Sequence, residues 1–136
     1  PPGARLWGAA QREVLIYTSD ADTSRAAPLR ERGAQVVALP NPHGKVDLAA
    51  LLRDLAAREV NEVHVEAGHK LNGSLLREGL VDELLLYQAP RLLGEGAGIA
   101  ALGPFTAVEQ ALALEWTEIV RVGPDLRLRA RLGHQR

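Results

Sequence analysis

The stretch from Glu62 to Pro90, EVHVEAGHKLNGSLLREGLVDELLLYQAP, constrains this chain more than any other. Its pattern predicts a strand at Glu62–Glu66, a glycine turn, and a short helix with Leu71, Leu75 and Leu76 on its buried side. Gly79 is the expected stop, and Glu83–Tyr87 (ELLLY) the next strand. The first turn holds the densest set of chemical groups in the sequence: Glu66, Gly68, His69, Lys70, Asn72, Gly73 and Ser74.

The residues before it repeat the same plan. Glu13–Thr18 (EVLIYT) is a short apolar run of the kind found in parallel sheets. Ser19, Asp20, Asp22 and Thr23 offer N-caps for a short helix ending near Arg32, with Pro28 in its first turn and Gly33 as its stop. Gln35–Leu39 (QVVAL) is a second strand, and Pro40-Asn41-Pro42-His43-Gly44 is almost all turn formers. Asp47 is placed to cap a helix that carries Leu48, Leu51, Leu52 and Leu55 on one face. Strand and helix alternate, which predicts parallel pairing with right-handed crossovers. Pro1–Arg12, anchored by Leu6 and Trp7, suits an entry segment.

The second half changes character. Arg91–Gly103 is rich in Gly and Ala and predicts a mobile or closely packed loop. Leu112–Val122 reads as a long strand, Gly123-Pro124-Asp125 as a turn, and Asp125–Leu132 as a cleanly alternating strand. There Leu126, Leu128, Ala130 and Leu132 face one way while Arg127, Arg129 and Arg131 face the other, an antiparallel hairpin with one wet face. The expected class is α/β, a mainly parallel sheet flanked by helices and ending in an antiparallel hairpin.

Composition excludes several function classes. A net charge of -1 gives no global field to recruit nucleic acid or an anionic membrane. With no cysteine, disulfides and thiolate metal sites are excluded from this sequence. His43, His64, His69 and His134 have no metal-ligand spacing, so no metal is expected. No apolar run approaches the ~18–20 residues of a membrane-spanning helix, and a cytoplasmic location is the expectation.

A strand that runs into glycine and then a helix makes an anion site, because first-turn N–H groups and the positive end of the helix dipole point into the turn. Gly68 lets a phosphate or flat ring approach the backbone, Gly73 permits tight packing, Asn72 and Ser74 add neutral hydrogen-bonding groups, and Lys70 adds a charge. The pattern is neither a dinucleotide fingerprint nor a P-loop. An ordinary strand–turn–helix corner satisfies it equally. Glu66, at the carboxyl end of its strand, sits where open sheets bind ligands, or is simply a solvent-facing strand end. His64 reads as a half-buried strand residue, the arginine stripe as a charged face, and Trp7 and Trp116 as packing anchors.

Taken together, VEAGHKLNGSLLREGLVDELLLYQAPRLLGEGA resembles the reductase domain of the bifunctional riboflavin-biosynthesis deaminase/reductases. In that family a strand ending Glu-Ala/Gly-Gly leads to two variable residues, Leu, a small or polar residue and Gly-Ser/Ala-Leu. A Gly-Leu-Val-Asp-Glu-Leu turn and a strand ending Ala-Pro-x-Leu-Leu-Gly follow. WTEIVRVGPDLRLRARL is similar to the family's closing hairpin.

The resemblance implies a dihydrofolate-reductase-like fold that uses NADPH to reduce the ribosyl group of 5-amino-6-(5-phosphoribosylamino)uracil to ribityl. It implies that Glu66 contacts substrate and that Gly68, His69, Lys70, Leu71, Asn72, Gly73 and Ser74 wrap the cofactor phosphates. His69-Lys70 departs from the Pro-Thr or Ala-Thr of many members, so backbone rather than side chain is expected to bind there. The family's opening strand, with its lysine and Ser-x-Asp-Gly turn, and its zinc-binding deaminase domain have no counterpart in this sequence. The chain is therefore expected to be the C-terminal portion of one reductase domain, with sheet edges that self-association as a homodimer would cover. A small-molecule substrate is expected, with neither nucleic acid nor membrane as partner. Two other readings stay open: a non-catalytic nucleotide-binding or assembly module, and a related oxidoreductase of different substrate.

Overall fold

The computed structural model describes residues 13–21 and 23–133. The entry segment expected at Pro1–Arg12, the cap candidate Asp22 and His134 lie outside the described residues. The chain divides into two compact units, with the boundary between Val63 and His64. Each carries its own sheet.

The first unit runs β1 (Val14–Thr18), a 3₁₀ turn (Thr23–Ala26), α1 (Ala27–Arg30), β2 (Ala34–Ala38) and α2 (Leu48–Ala57). β1 and β2 are parallel and in register from Val14 opposite Ala34 to Thr18 opposite Ala38. The short helical crossover is what lets adjacent strands run the same way. Pro28 sits in the first turn of α1, where its missing N–H costs nothing, and Gly33 closes the crossover at φ +87°. The loop after β2 is held by Asn41, whose side-chain oxygen accepts from the His43 and Lys45 N–H groups at 2.9 Å each.

The N-terminus of α2 is capped as the sequence predicts. The Asp47 carboxylate accepts from the Ala50 N–H at 2.7 Å, and Leu48, Leu51, Leu52 and Leu55 are half-buried. A polar cluster ties this helix to both strands. Tyr17 of β1 donates to Asp54 at 2.7 Å, Arg58 donates to the same oxygen at 2.7 Å, and Arg58 also donates to Gln35 of β2 at 2.7 Å. The hydrogen bonds from Tyr17 and then from Arg58 hold the Asp54 carboxyl below its usual range. Burial, and then Asp54, push the Tyr17 hydroxyl up.

The second unit runs α3 (His69–Arg77), β3 (Glu83–Gln88), β4 (Leu114–Val122) and β5 (Asp125–Leu132). β5 lies between β3 and β4 and pairs antiparallel with both. Ala130, fully buried, lies opposite Leu84 on one side and Trp116 on the other. Between Trp116 and Glu118 the register of β4 shifts. Strict alternation would put Glu118 on the same face as Trp116. The bulge at Thr117 places Glu118 opposite Arg129 and Ile119 opposite Leu128 instead.

Several expectations need correction. The strands are not mainly parallel: among the described residues two pair parallel in one sheet and three antiparallel in the other, so α/β holds while the expected proportion does not. Glu62–Glu66 forms no strand, because a β-conformation persists through ladder bonds to a neighbour and none engages this stretch among the described residues. Val63 and Val65 are correspondingly exposed, and His64 is exposed rather than half-buried. Leu71 is not on the buried side of α3. It is 43% exposed, while Leu75 and Leu76 are buried. Trp116, expected as a packing anchor, is half exposed at 50%.

Candidate functional site

The N-terminus of α3 is built differently from that of α2. Gly68 occupies the N-cap position in an extended conformation and has no side chain with which to cap. Its carbonyl accepts from the Leu71 and Asn72 N–H groups at 3.1 Å each, which closes the first turn. By helix geometry the His69 and Lys70 N–H groups have no acceptor within the helix, and they carry the positive end of its dipole. An open pocket of about 300 Å³ lies here, lined by Gly68, His69, Lys70 and Leu71.

Gly68 and Gly73 owe their lack of a side chain to different causes. At Gly73 an added Cβ would stand 2.3 Å from the Ala101 carbonyl oxygen and 2.7 Å from the Ala101 carbonyl carbon and nitrogen. Only glycine allows that backbone to lie against the helix. At Gly68 the φ is negative and an added Cβ would meet nothing within 4 Å. Among the described residues neither strain nor packing demands glycine there. A side chain at Gly68 would project into open space beside the pocket.

The expected polar groups of the turn are largely engaged within the protein. Asn72 Nδ2 donates to the Ala67 carbonyl at 3.2 Å and to the Ile99 carbonyl at 2.9 Å. Ser74 Oγ accepts from Arg77 Nη2 at 3.1 Å, and Arg77 Nη1 donates to the Ala101 carbonyl. The Ala101 N–H donates in turn to the His69 carbonyl at 2.9 Å. Part of the glycine-rich loop is therefore closely packed, one of the two expected alternatives. Arg77 is absent from the sequence-level candidates. Its signal was its spacing: His69, Gly73 and Arg77 recur every four residues and so share one face of α3.

Glu66 is close to the pocket in sequence but points into solvent. Its side chain is 85% exposed, with His64 Nε2 3.4 Å from Oε1. An exposed pair of this length contributes little to stability. Lys70 is exposed and His69 half-buried. Two arginines of the β5 stripe are matched by carboxylates: Arg127 bonds Glu118 at 2.8 Å, and Arg129 lies 3.1 Å from Glu83. The hydrogen bond to Glu118, followed by that to Tyr87, holds the Arg127 guanidinium more firmly charged. Among the described residues no cluster of His, Asp or Glu could hold a metal ion, and no helix is long and apolar enough to cross a membrane.

A riboflavin biosynthesis protein RibD from Escherichia coli is 42% identical over 89 residues, which are 65% of this chain and 24% of that protein. A 5-amino-6-(5-phosphoribosylamino)uracil reductase from Buchnera aphidicola is 36% identical over 85 residues, 62% of this chain and 41% of that one. The chain thus spans well under half of either relative. Among solved structures, RibD from Acinetobacter baumannii superposes with a TM-score of 0.79 at 26% identity, covering 98% of this chain and 35% of that one. The sequence matches the family described as RibD C-terminal domain over residues 1–128, and the chain belongs to that family.

Proposed function

We propose that this chain is the C-terminal portion of an NADPH-dependent reductase domain of dihydrofolate-reductase-like fold, and that its parent protein reduces 5-amino-6-(5-phosphoribosylamino)uracil to the 5-phosphoribitylamino product in riboflavin biosynthesis. The observation that carries the reading is the uncapped glycine at the start of α3, beside an open pocket, in a chain of this family. A dinucleotide phosphate fits that turn: it would take the hydrogen bonds and dipole that Asp47 takes at α2, and would occupy the space that a Cβ on Gly68 would enter. The name of the Buchnera aphidicola relative supports the substrate class. The parent's setting is cytoplasmic and its substrate a small molecule.

Within the site the roles divide. Backbone N–H groups of His69 and Lys70 hold phosphate, and Lys70 adds a mobile positive charge at the rim. Leu71 offers an exposed apolar surface, and Gly68 leaves room for the ligand. Asn72, Gly73 and Ser74 shape the turn from behind. Glu66, whose side chain is exposed, reaches sugar hydroxyls of the substrate. NADPH, when bound, supplies the hydride that reduces C1′ of the ring-opened imine form of the ribosyl group. The protein's contribution is to orient donor and acceptor and to stabilise charge.

Titration of the parent protein with NADPH, followed by turnover with the ribosylaminouracil phosphate, tests the reading. Gly68→Val is expected to block cofactor binding, and Glu66→Ala to spare binding while lowering turnover. A parent protein that binds NADPH yet never reduces the pyrimidine would point to a nucleotide-binding module instead.

A further inference from the structure

We propose that Arg77 is a positioning residue for the pocket at Gly68–Leu71, acting through the backbone of Ile99–Ala101. The inference rests on the reading of that pocket as the dinucleotide site, and the assignment of Arg77 goes beyond it.

The two residues that flank Gly68 are each tied to the same short segment. On one side the Ala67 carbonyl accepts from Asn72 Nδ2, which also donates to the Ile99 carbonyl. On the other side the His69 carbonyl accepts from the Ala101 N–H at 2.9 Å. Ala101 is seated by two features of α3. Gly73 leaves the space it fills, and Arg77 holds its carbonyl while a second guanidinium nitrogen rests on Ser74 Oγ at 3.1 Å. The glycine-rich stretch before Ile99 is exposed and makes few bonds of its own, with Gly94 at φ +74° and Leu92 and Leu93 almost fully exposed. The guanidinium is one of three hydrogen-bonded ties that fix where this loop rejoins the helix, with Asn72 on the Ile99 carbonyl and the Ala101 N–H on the His69 carbonyl, and it alone holds the Ala101 carbonyl from a side chain.

Arg77 therefore seats Ala101, Ala101 restrains the His69 carbonyl, and the first turn of α3 keeps its N–H groups aimed at the pocket. A site held in its binding geometry before the ligand arrives avoids the ordering cost on binding. Arginine suits the task because its planar fork reaches an oxygen on the loop and one on the helix together, whereas lysine offers a single point of charge.

The test compares wild type, Arg77→Ala and Arg77→Lys in the full parent protein, by amide hydrogen exchange and by NADPH titration. In Arg77→Ala the Ala101 amide and those of Leu71 and Asn72, which bond the Gly68 carbonyl, should exchange about tenfold faster, with β3–β5 unchanged, and the NADPH Kd should rise about tenfold, the scale of one charge-assisted hydrogen bond. Arg77→Lys should recover part of both effects. The KM for NADPH should rise in Arg77→Ala while kcat at saturating cofactor holds. Exchange that is unchanged at Ala101, or faster throughout the sheet, would overturn the proposal, since the first denies the clamp and the second makes Arg77 a general stabiliser. Failure of wild type to bind NADPH would sink the dinucleotide reading alone, because the exchange comparison still judges the clamp.

Discussion

The two longest helices begin in opposite ways. α2 starts with a residue that fulfils the need of its own N-terminus: the Asp47 carboxylate bonds Ala50 and places a negative charge at the positive end of the dipole. α3 starts with a residue that leaves that need open, since Gly68 has no side chain and no steric reason among the described residues to lack one. A folding requirement alone favours the first solution. The second leaves the first-turn N–H groups open to an anion from outside the chain, which is why the proposed site lies at α3 rather than α2.

The largest effect is expected from making the two ends alike. Gly68→Asp gives α3 the cap that α2 already has, so its stability should rise by a few tenths of a kcal/mol relative to glycine. NADPH affinity should fall at least about a hundredfold, because the carboxylate competes for the same N–H groups and repels phosphate. Denaturant melts and fluorescence titration read the two outcomes. A variant that is both stabilised and still able to bind would break the comparison.

Gly73→Ala should be next. Its Cβ would press on the Ala101 backbone, and overpacking of this kind costs about 1–3 kcal/mol. A drop in denaturation midpoint, with faster proteolysis of the 94–101 loop, is the expected result. The same substitution at Gly68, where space is open, should cost less, about 0.5 kcal/mol through the poorer N-cap. Asp47→Ala follows, costing about 1 kcal/mol through loss of the cap and leaving NADPH affinity untouched.

The smallest effect concerns the polar cluster on α2. Asp54 is held below its usual range by Tyr17 and Arg58, so its contribution is present above the unfolded carboxylate value and is lost as pH falls through the lowered folded value. Tyr17 is raised, so its contribution is present below its unfolded value and is lost as pH rises through the raised one. Denaturation midpoints should be flat at neutral pH and decline at both extremes, with a shallower acid slope in Tyr17→Phe.

Much of this was legible in the sequence because it depends on neighbours along the chain. Asp47 three residues before Ala50, Pro28 in a first turn, Gly33 and Gly79 as stops, and the alternation of leucine and arginine along β5 all act over one turn or one strand pair. The bulge at Thr117 was less visible, because it follows from which residues of β4 must face Leu128 and Arg129, and that is a property of the pairing. The candidate site divides likewise. Its glycines, Asn72 and Ser74 stood out in the turn, but nothing nearby shows that Asn72 holds Ile99 or that Gly73 makes room for Ala101, partners that lie more than twenty residues away.

The sequence by itself therefore determined the positions of most helices and strands, the α/β class, and the family whose signature runs through Glu62–Pro90. The tertiary structure decided which of the two glycines in the turn serves packing and which faces open space. It also decided that Glu62–Glu66, strand-like in pattern, pairs with no strand among the described residues. A hydrophobic alternation records a preference for a sheet, but a strand exists only where another backbone supplies its hydrogen bonds.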